Sequence, residues 1–181
     1  MYKVETVIQG VAPFLFNRPE DERKTVGNIS EEERRESAAV TKLHKNGHGL
    51  MATAWMVKQT LLNGAKQCLK GKASISNYVK AAVFPTDGLF DREEADFLHE
   101  TWGRVPPKTG ALVKVWRPAM KEGWEMRLTF HVTDDRLTAD ALRLAWENSG
   151  MMVGIGSWRP EFGRFIVKEW KVIKEAKKKS A

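Results

Sequence analysis

The sequence predicts an α+β fold in the ferredoxin-like order β-α-β-β-α-β, with a charged insertion after the first strand. Three observations predict it. Period-two alternation marks strands at Tyr2–Ile8 and Trp124–Val132, and shorter strand segments fall at Ala111–Trp116 and Phe165–Val172. Capping residues and helical spacing mark two core helices, one behind Gly49 and one behind Thr138. Between the first strand and the first core helix, Arg18 to Lys45 carries seven basic and seven acidic residues and few apolar ones. With 181 residues and 42% hydrophobic content, one domain over residues 1–181 has material for an ordinary core.

In chain order, Tyr2, Val4, Thr6 and Ile8 alternate with polar neighbours as a half-buried strand does, and Val11 to Phe16 continues it irregularly. Ser30 followed by Glu31, Glu32 and Glu33 is a capping box, so a helix over 31–44 is expected inside the insertion at 18–47. Its apolar positions are few, which predicts a helix projecting from the fold. Asn46-Gly47-His48-Gly49 is a turn signal. Leu50 to Lys70 reads as the first core helix, with Trp55, Leu61, Leu62, Ala65 and Leu69 at helical spacing, Thr53 as a cap and Lys58 toward solvent. Further on, Ala81-Ala82-Val83-Phe84 reads as a short strand, Asp91 to Trp102 as a short helix, and Gly103 to Gly110 as a loop. The segments at 111–116 and 124–132 read as a β-hairpin turning at Lys121-Glu122-Gly123. Thr138 caps a helix over 139–149 that Gly150 stops, and Phe165–Val172 closes the sheet.

Composition narrows the class. The longest apolar runs are short and broken by charges, so no transmembrane helix is expected, and no secretory signal is visible at the N-terminus. Cys68 is the single cysteine, which excludes an internal disulfide and fits a reducing, cytoplasmic setting. The net charge is +7, and six lysines after Val167 face two glutamates, ending in a basic tail at 174–181. Such a tail attracts polyanions by counterion release, and it is equally what a solvated terminus looks like.

Catalytic signatures are thin. His44 and His48 are four apart, but Asn46-Gly47 breaks any helix that would align them, so neither metal nor cofactor is expected. His99 and His131 have no visible partner. No nucleophilic triad or phosphate loop appears: Gly154-x-Gly156 follows a helix and precedes a strand, the reverse of a dinucleotide loop. A non-enzyme is expected.

The most distinctive stretch runs from Gly150 to Phe165 and holds four of the fourteen glycines, interleaved with Trp158, Arg159, Phe162 and Arg164. Its amides and guanidiniums suit an anionic chain. Alternatively it is a helix cap and an ordinary turn. The run Gly154-Ile155-Gly156-Ser157-Trp158-Arg159-Pro160-Glu161-Phe162-Gly163-Arg164-Phe165 resembles the glycine-rich loop of the RAMP superfamily of CRISPR systems, most of all the backbone subunits that coat guide RNA. His48-Gly49-Leu50-Met51-Ala52-Thr53-Ala54-Trp55-Met56-Val57-Lys58 resembles the loop and first core helix of those proteins, without their usual proline and small-residue loop. The chain is also similar to small phage proteins ending in a glycine–tryptophan–arginine–proline loop.

The resemblance implies an RRM-like fold and binding of single-stranded RNA, often by copies side by side as a homo-oligomer. The residues expected to bind are Lys58, Gly154, Gly156, Trp158, Arg159, Gly163 and Arg164. Arg159, Arg164 and Lys58 would meet phosphates and Trp158 a base, or Trp158 plugs the sheet edge and Arg164 pairs a carboxylate. Some relatives cleave RNA without metal through a histidine, which makes His44 and His48 the catalytic candidates, against a surface role. Two other classes stay open. One is a phage single-stranded DNA-binding or annealing protein, and the other is a protein-interaction module whose loop is architectural.

Overall fold

A computed structural model describes residues 1–19, 30–70, 73–104 and 112–174. The first half of the charged stretch, the Pro106-Pro107 loop and the tail beyond Lys174 lie outside the described residues. Strands β1 (Tyr2–Gly10) and β2 (Phe14–Leu15) come first, then helix α1 (Glu31–Thr41). The short strands β3 (Lys45–Asn46) and β4 (Gly49–Ala52) lead into α2 (Ala54–Ala65). A small hairpin, β5 (Leu69–Lys70) and β6 (Ala73–Ser74), precedes α3 (Ser76–Ala82), β7 (Val83–Pro85) and β8 (Gly88–Phe90). The long strands β9 (Phe97–Arg104), β10 (Leu112–Met120) and β11 (Glu125–Val132) follow. Helix α4 (Ala139–Asn148) continues into a π-helical turn at Ser149–Val153, and β12 (Phe165–Lys174) ends the described fold.

The fold is α+β with antiparallel sheets. The larger sheet runs β12-β1-β11-β8-β4-β3, with β7 also on β11. Tyr2 lies opposite both Val132 and Lys174, so the first strand is central and the last one is its neighbour. Alternation along β1 buries Val4, Thr6 and Ile8 on one face. Helices α2 and α4 cover that face through Val57, Leu61, Leu142 and Trp146, with the Trp146 ring 5.2 Å from Phe130 and 4.7 Å from Phe165. Thr53 and Thr138 cap these helices, each accepting from the amide three residues on. Among the described residues no helix is long and apolar enough to cross a membrane.

A second sheet of order β2-β10-β9 corrects two expectations. Residues 111–116 and 124–132 do not form a hairpin. β10 runs on to Met120 and pairs β9 from Leu112↔Arg104 to Ala119↔Phe97, while β11 pairs β1. Trp124 decides this split. Its ring fills the space where a Cβ on Gly10 would sit, 2.1 Å from ring atoms, and its Nε1 donates to the Ala12 carbonyl at 2.9 Å. The indole thus seats β11 on β1, and truncating it would cost about 3–5 kcal/mol.

The predicted helix at 91–102 is instead an acidic turn and β9. Asp96 Oδ2 accepts from the Lys121 amide and the Asp96 amide donates to Ala119, so this carboxylate serves the strand end and not a helix cap.

Helix boundaries shift for similar reasons. Leu50 and Ala52 alternate as buried strand residues, so α2 starts at Ala54, and it stops well short of Lys70. Ala81 and Ala82 end α3, and the strand begins at Val83. Gly150 does not stop α4; a Cβ there would lie 2.1 Å from the Phe165 carbonyl oxygen, so Gly150 is a packing position inside the π turn. Nor does the described part of 18–47 project. The capping box at Ser30 forms as expected, but Ala38 and Leu43 are buried and Glu31 pairs with Lys114 of β10 at 2.9 Å.

Candidate nucleic-acid interface

The glycine loop joins the π turn to β12 and folds onto itself and onto the flank of β2. Gly154, Gly156 and Gly163 all have positive φ, the conformation that glycine adopts without a Cβ clash. At Gly163 a Cβ would lie 1.7 Å from the Ile155 carbonyl oxygen, so both backbone space and φ demand glycine there. Several of the loop amides expected to face an anion are engaged within the fold. Ile155 donates to Gly163, Ser157 to Leu15, Phe162 to Trp158 and Gly163 to Pro13, at 2.8–3.2 Å. Gly154, Gly156 and Gly163 therefore shape the loop, and the engaged amides of Ile155, Ser157, Phe162 and Gly163 are not available to an anion.

Those side chains divide. Arg159 is exposed, and its Nη1 donates to Thr60 Oγ1 of α2 at 3.3 Å. Arg164 is exposed at the far end of the loop, where its carbonyl accepts from the Val11 amide. Lys58 is half-buried, and its ammonium is held by backbone carbonyls instead of standing free on the solvent side as expected. Its Nζ donates to the carbonyls of Val79 at 2.6 Å, Lys80 at 3.2 Å and Val83, and lies 5.5 Å from the Phe84 ring centroid. Burial lowers its pKa from the usual ammonium range. Trp158, at φ 56, is the non-glycine residue with positive φ among the described residues, and it sits half-buried against Phe162.

A cavity of about 250 Å³ opens where the loop meets the start of α2, with Asn17, His44, Thr53, Trp55, Gly156 and Ser157 in its walls. Trp55, expected in the core, is 70% exposed. Helical spacing placed it correctly on α2, but Val57, Thr60, Leu61 and Gly64 fill the inward face. Met56, also on the cavity wall, and Thr60 are one helical turn apart, so Arg159 continues the same seam.

Exposed Arg18 stands at the other end beside His44, whose pKa is lowered chiefly by burial and then by the Arg18 charge. His44 is half-buried and His48 is exposed, with its amide bound to Asn46 Oδ1. Neither ring is held by a carboxylate among the described residues, and no group of three metal-ligating side chains occurs among them.

A larger depression of about 500 Å³ lies on the helix-free face of the main sheet. Glu5, Asp87 and Glu169 oppose Arg127 and Lys171 there, and Lys171 pairs with Glu5 at 3.6 Å. Mixed and paired charge makes it a poor groove for a polyanion, so the seam is the better candidate despite its smaller volume.

Two residues passed over in sequence lie against the loop. His99 and Arg117 face each other across β9 and β10. The His99 ring meets Trp158 edge-on at 5.7 Å and Phe162 at 5.0 Å, and the Arg117 guanidinium lies 4.2 Å from the Trp158 ring centroid. With 91–102 read as a helix, no sequence signal placed His99 beside residue 158.

No family model matches the sequence, and no curated protein is similar to it. Solved structures are. A chain of the type III-B Cmr-beta complex, determined by cryo-electron microscopy bound to cognate target RNA, superimposes with a TM-score of 0.54 at 12% identity. That match covers 96% of this chain but 61% of the other, so this chain spans less than two thirds of its length. The crystal structure of Cmr6 from Pyrococcus furiosus superimposes with a TM-score of 0.51 at 10% identity, covering 91% of this chain and 96% of that one. The chain shares its fold with these two proteins, Cmr6 and a chain of the Cmr-beta complex.

Proposed function

We propose that this protein is a non-catalytic binder of single-stranded nucleic acid, RNA in the first instance, and that the strand follows the seam between α2 and the glycine loop. The observation that carries the reading is that α2 carries a 70% exposed Trp55 and, at Thr60, a hydrogen bond from the exposed Arg159 of the loop. Aromatic faces against bases and cations along the backbone are what sequence-tolerant single-strand binding requires. A net charge of +7 favours the encounter. The RNA carried by the Cmr-beta neighbour supports the choice of RNA.

The proposal extends to architecture and assembly. We take β1, β7–β8, β11 and β12 with α2 and α4 as a ferredoxin-like core, because the order β12-β1-β11 followed by β7 and β8 interleaves two split β-α-β units. Residues 18–47 form its insertion and 174–181 its basic tail. One seam of this length holds only a few nucleotides, so copies bind side by side on a longer strand.

Protein freed of copurifying nucleic acid and titrated with fluorescent single-stranded RNA and DNA homopolymers tests the reading. Salt-dependent binding, tighter for RNA, is expected, with complexes growing in mass as the oligonucleotide lengthens. Absence of binding to either polymer at low salt would overturn it.

A further inference from the structure

The side of the glycine loop away from α2 holds an arginine with unmet hydrogen-bonding capacity. Arg117 comes from β10, and alternation puts it on the face of the second sheet opposite to Lys114, the residue that pairs with α1. Its Nε and Nη1 are buried and have no hydrogen-bond partner. No carboxylate lies within ion-pair distance of it among the described residues. Burial lowers its pKa, yet a guanidinium stays protonated in proteins. The Trp158 ring attracts the charge through its face at 4.2 Å, but a π face leaves in-plane N–H donors unmet. Arg117 is half-buried, and two of its guanidinium nitrogens are stranded without acceptors, an unfavourable arrangement that an anion would complete.

We propose that Arg117 is an anion receptor on the second side of the glycine loop, and that its ligand is a backbone phosphate of the bound strand. The identity of the ligand rests on the nucleic-acid reading above; the receptor itself does not. Three features of the surroundings fit phosphate. His99 lies directly opposite on β9 and adds a donor edge beside the site. Arg159 follows Trp158 in sequence, so a strand on Arg159 passes the tryptophan that covers Arg117. Trp158 holds a left-handed backbone conformation that non-glycine residues rarely adopt, and a shift of this residue both uncovers the guanidinium and relieves that strain. Trp158 is thereby a cover over the receptor more than a free stacking platform.

The test compares wild type with Arg117→Met, which keeps the stem and stacking volume but removes the charge, and with Arg117→Lys. Melting is followed with and without inorganic phosphate, and a uridine homopolymer is titrated across a salt series. Inorganic phosphate is expected to raise the melting temperature of wild type and not of Arg117→Met. Without ligand, Arg117→Met is expected to melt no lower than wild type, because two buried donors without acceptors have gone. Its log–log salt slope is expected to be shallower by about 0.7, the loss of one phosphate contact on a single strand. Arg117→Lys is expected to keep the slope but bind severalfold more weakly, lacking the planar fork.

If Arg117→Met melts lower while phosphate response and slope are unchanged, the protein supplies its own acceptor and the proposal is overturned. Should Arg117→Met not fold, Arg117→Lys decides, and wild-type behaviour in both assays would overturn it. A wild type that ignores the homopolymer but is stabilised by phosphate only through Arg117 keeps the receptor and removes the nucleic-acid reading.

Discussion

The Lys58 ammonium of α2 donates to the Val79 carbonyl at 2.6 Å, closing the C-terminal end of α3 from a neighbouring helix. The last turn of a helix leaves carbonyls without intrahelical partners, and Lys58 supplies donors to three acceptors around that end. Lys58→Met is therefore expected to lower stability by about 1–3 kcal/mol, the cost of stranding such groups. Nucleic-acid affinity and its salt slope should stay as in wild type. A shallower slope would show that Lys58 meets a phosphate after all.

Arg159 stands in the middle of the loop and Arg164 at its far end, and both are exposed. Replacing both with alanine should leave the melting temperature close to wild type and weaken binding to every single-stranded sequence by a similar factor. Anisotropy titrations over a range of salt should give a slope shallower by about 0.7 per lost contact. An unchanged slope would make the loop architectural.

Trp55→Ala probes stacking without disturbing the fold, since the side chain is mostly in solvent. Stability should change by no more than about 0.5 kcal/mol. Affinity should fall by about 1–3 kcal/mol with the salt slope intact, as for a lost base–aromatic contact. Trp158→Ala should instead alter the melting curve, because Trp158 packs on Arg117, His99 and Phe162.

His44 links stability to pH. Burial foremost, then the Arg18 charge, holds its imidazole below the ordinary value of 6.5. As pH falls below that value the unfolded chain takes up the proton first, so the stability present at neutral pH declines toward the folded-state pKa. Denaturant midpoints measured downward from about pH 7 should show this decline in wild type and a smaller one in His44→Gln. Equal slopes in the two proteins would rule out His44 as the source.

Much of the local structure was legible because its causes are local. Ser30, Thr53 and Thr138 cap helices through the amide three residues away, and alternation along Tyr2–Ile8 and Trp124–Val132 marks the faces of two central strands. The partner of 111–116 was not legible. Its alternation suits any neighbour, and the choice of β9 was made by Trp124 seating the next strand against Gly10. The predicted helix at 91–102 failed in the same way. Arg92 does pair with Asp96 four residues on, but Asp96 also accepts from the Lys121 amide and donates its own amide to Ala119, which ties the segment to a strand end.

By itself the sequence determined the α+β class, the helix caps at Ser30, Thr53 and Thr138, and the glycine positions of the loop. Capping, periodicity and positive φ act over a few residues and leave their mark in composition. Only the tertiary structure decided what the functional side chains face. It turned Lys58 onto α3, bound the loop amides to Pro13 and Leu15, set Trp55 in solvent and laid Trp158 on Arg117. Each of these outcomes depends on which of two equally suitable surfaces a side chain meets. Residues such as Thr60 and Arg159, 99 positions apart, meet only because the whole sheet brings their elements together.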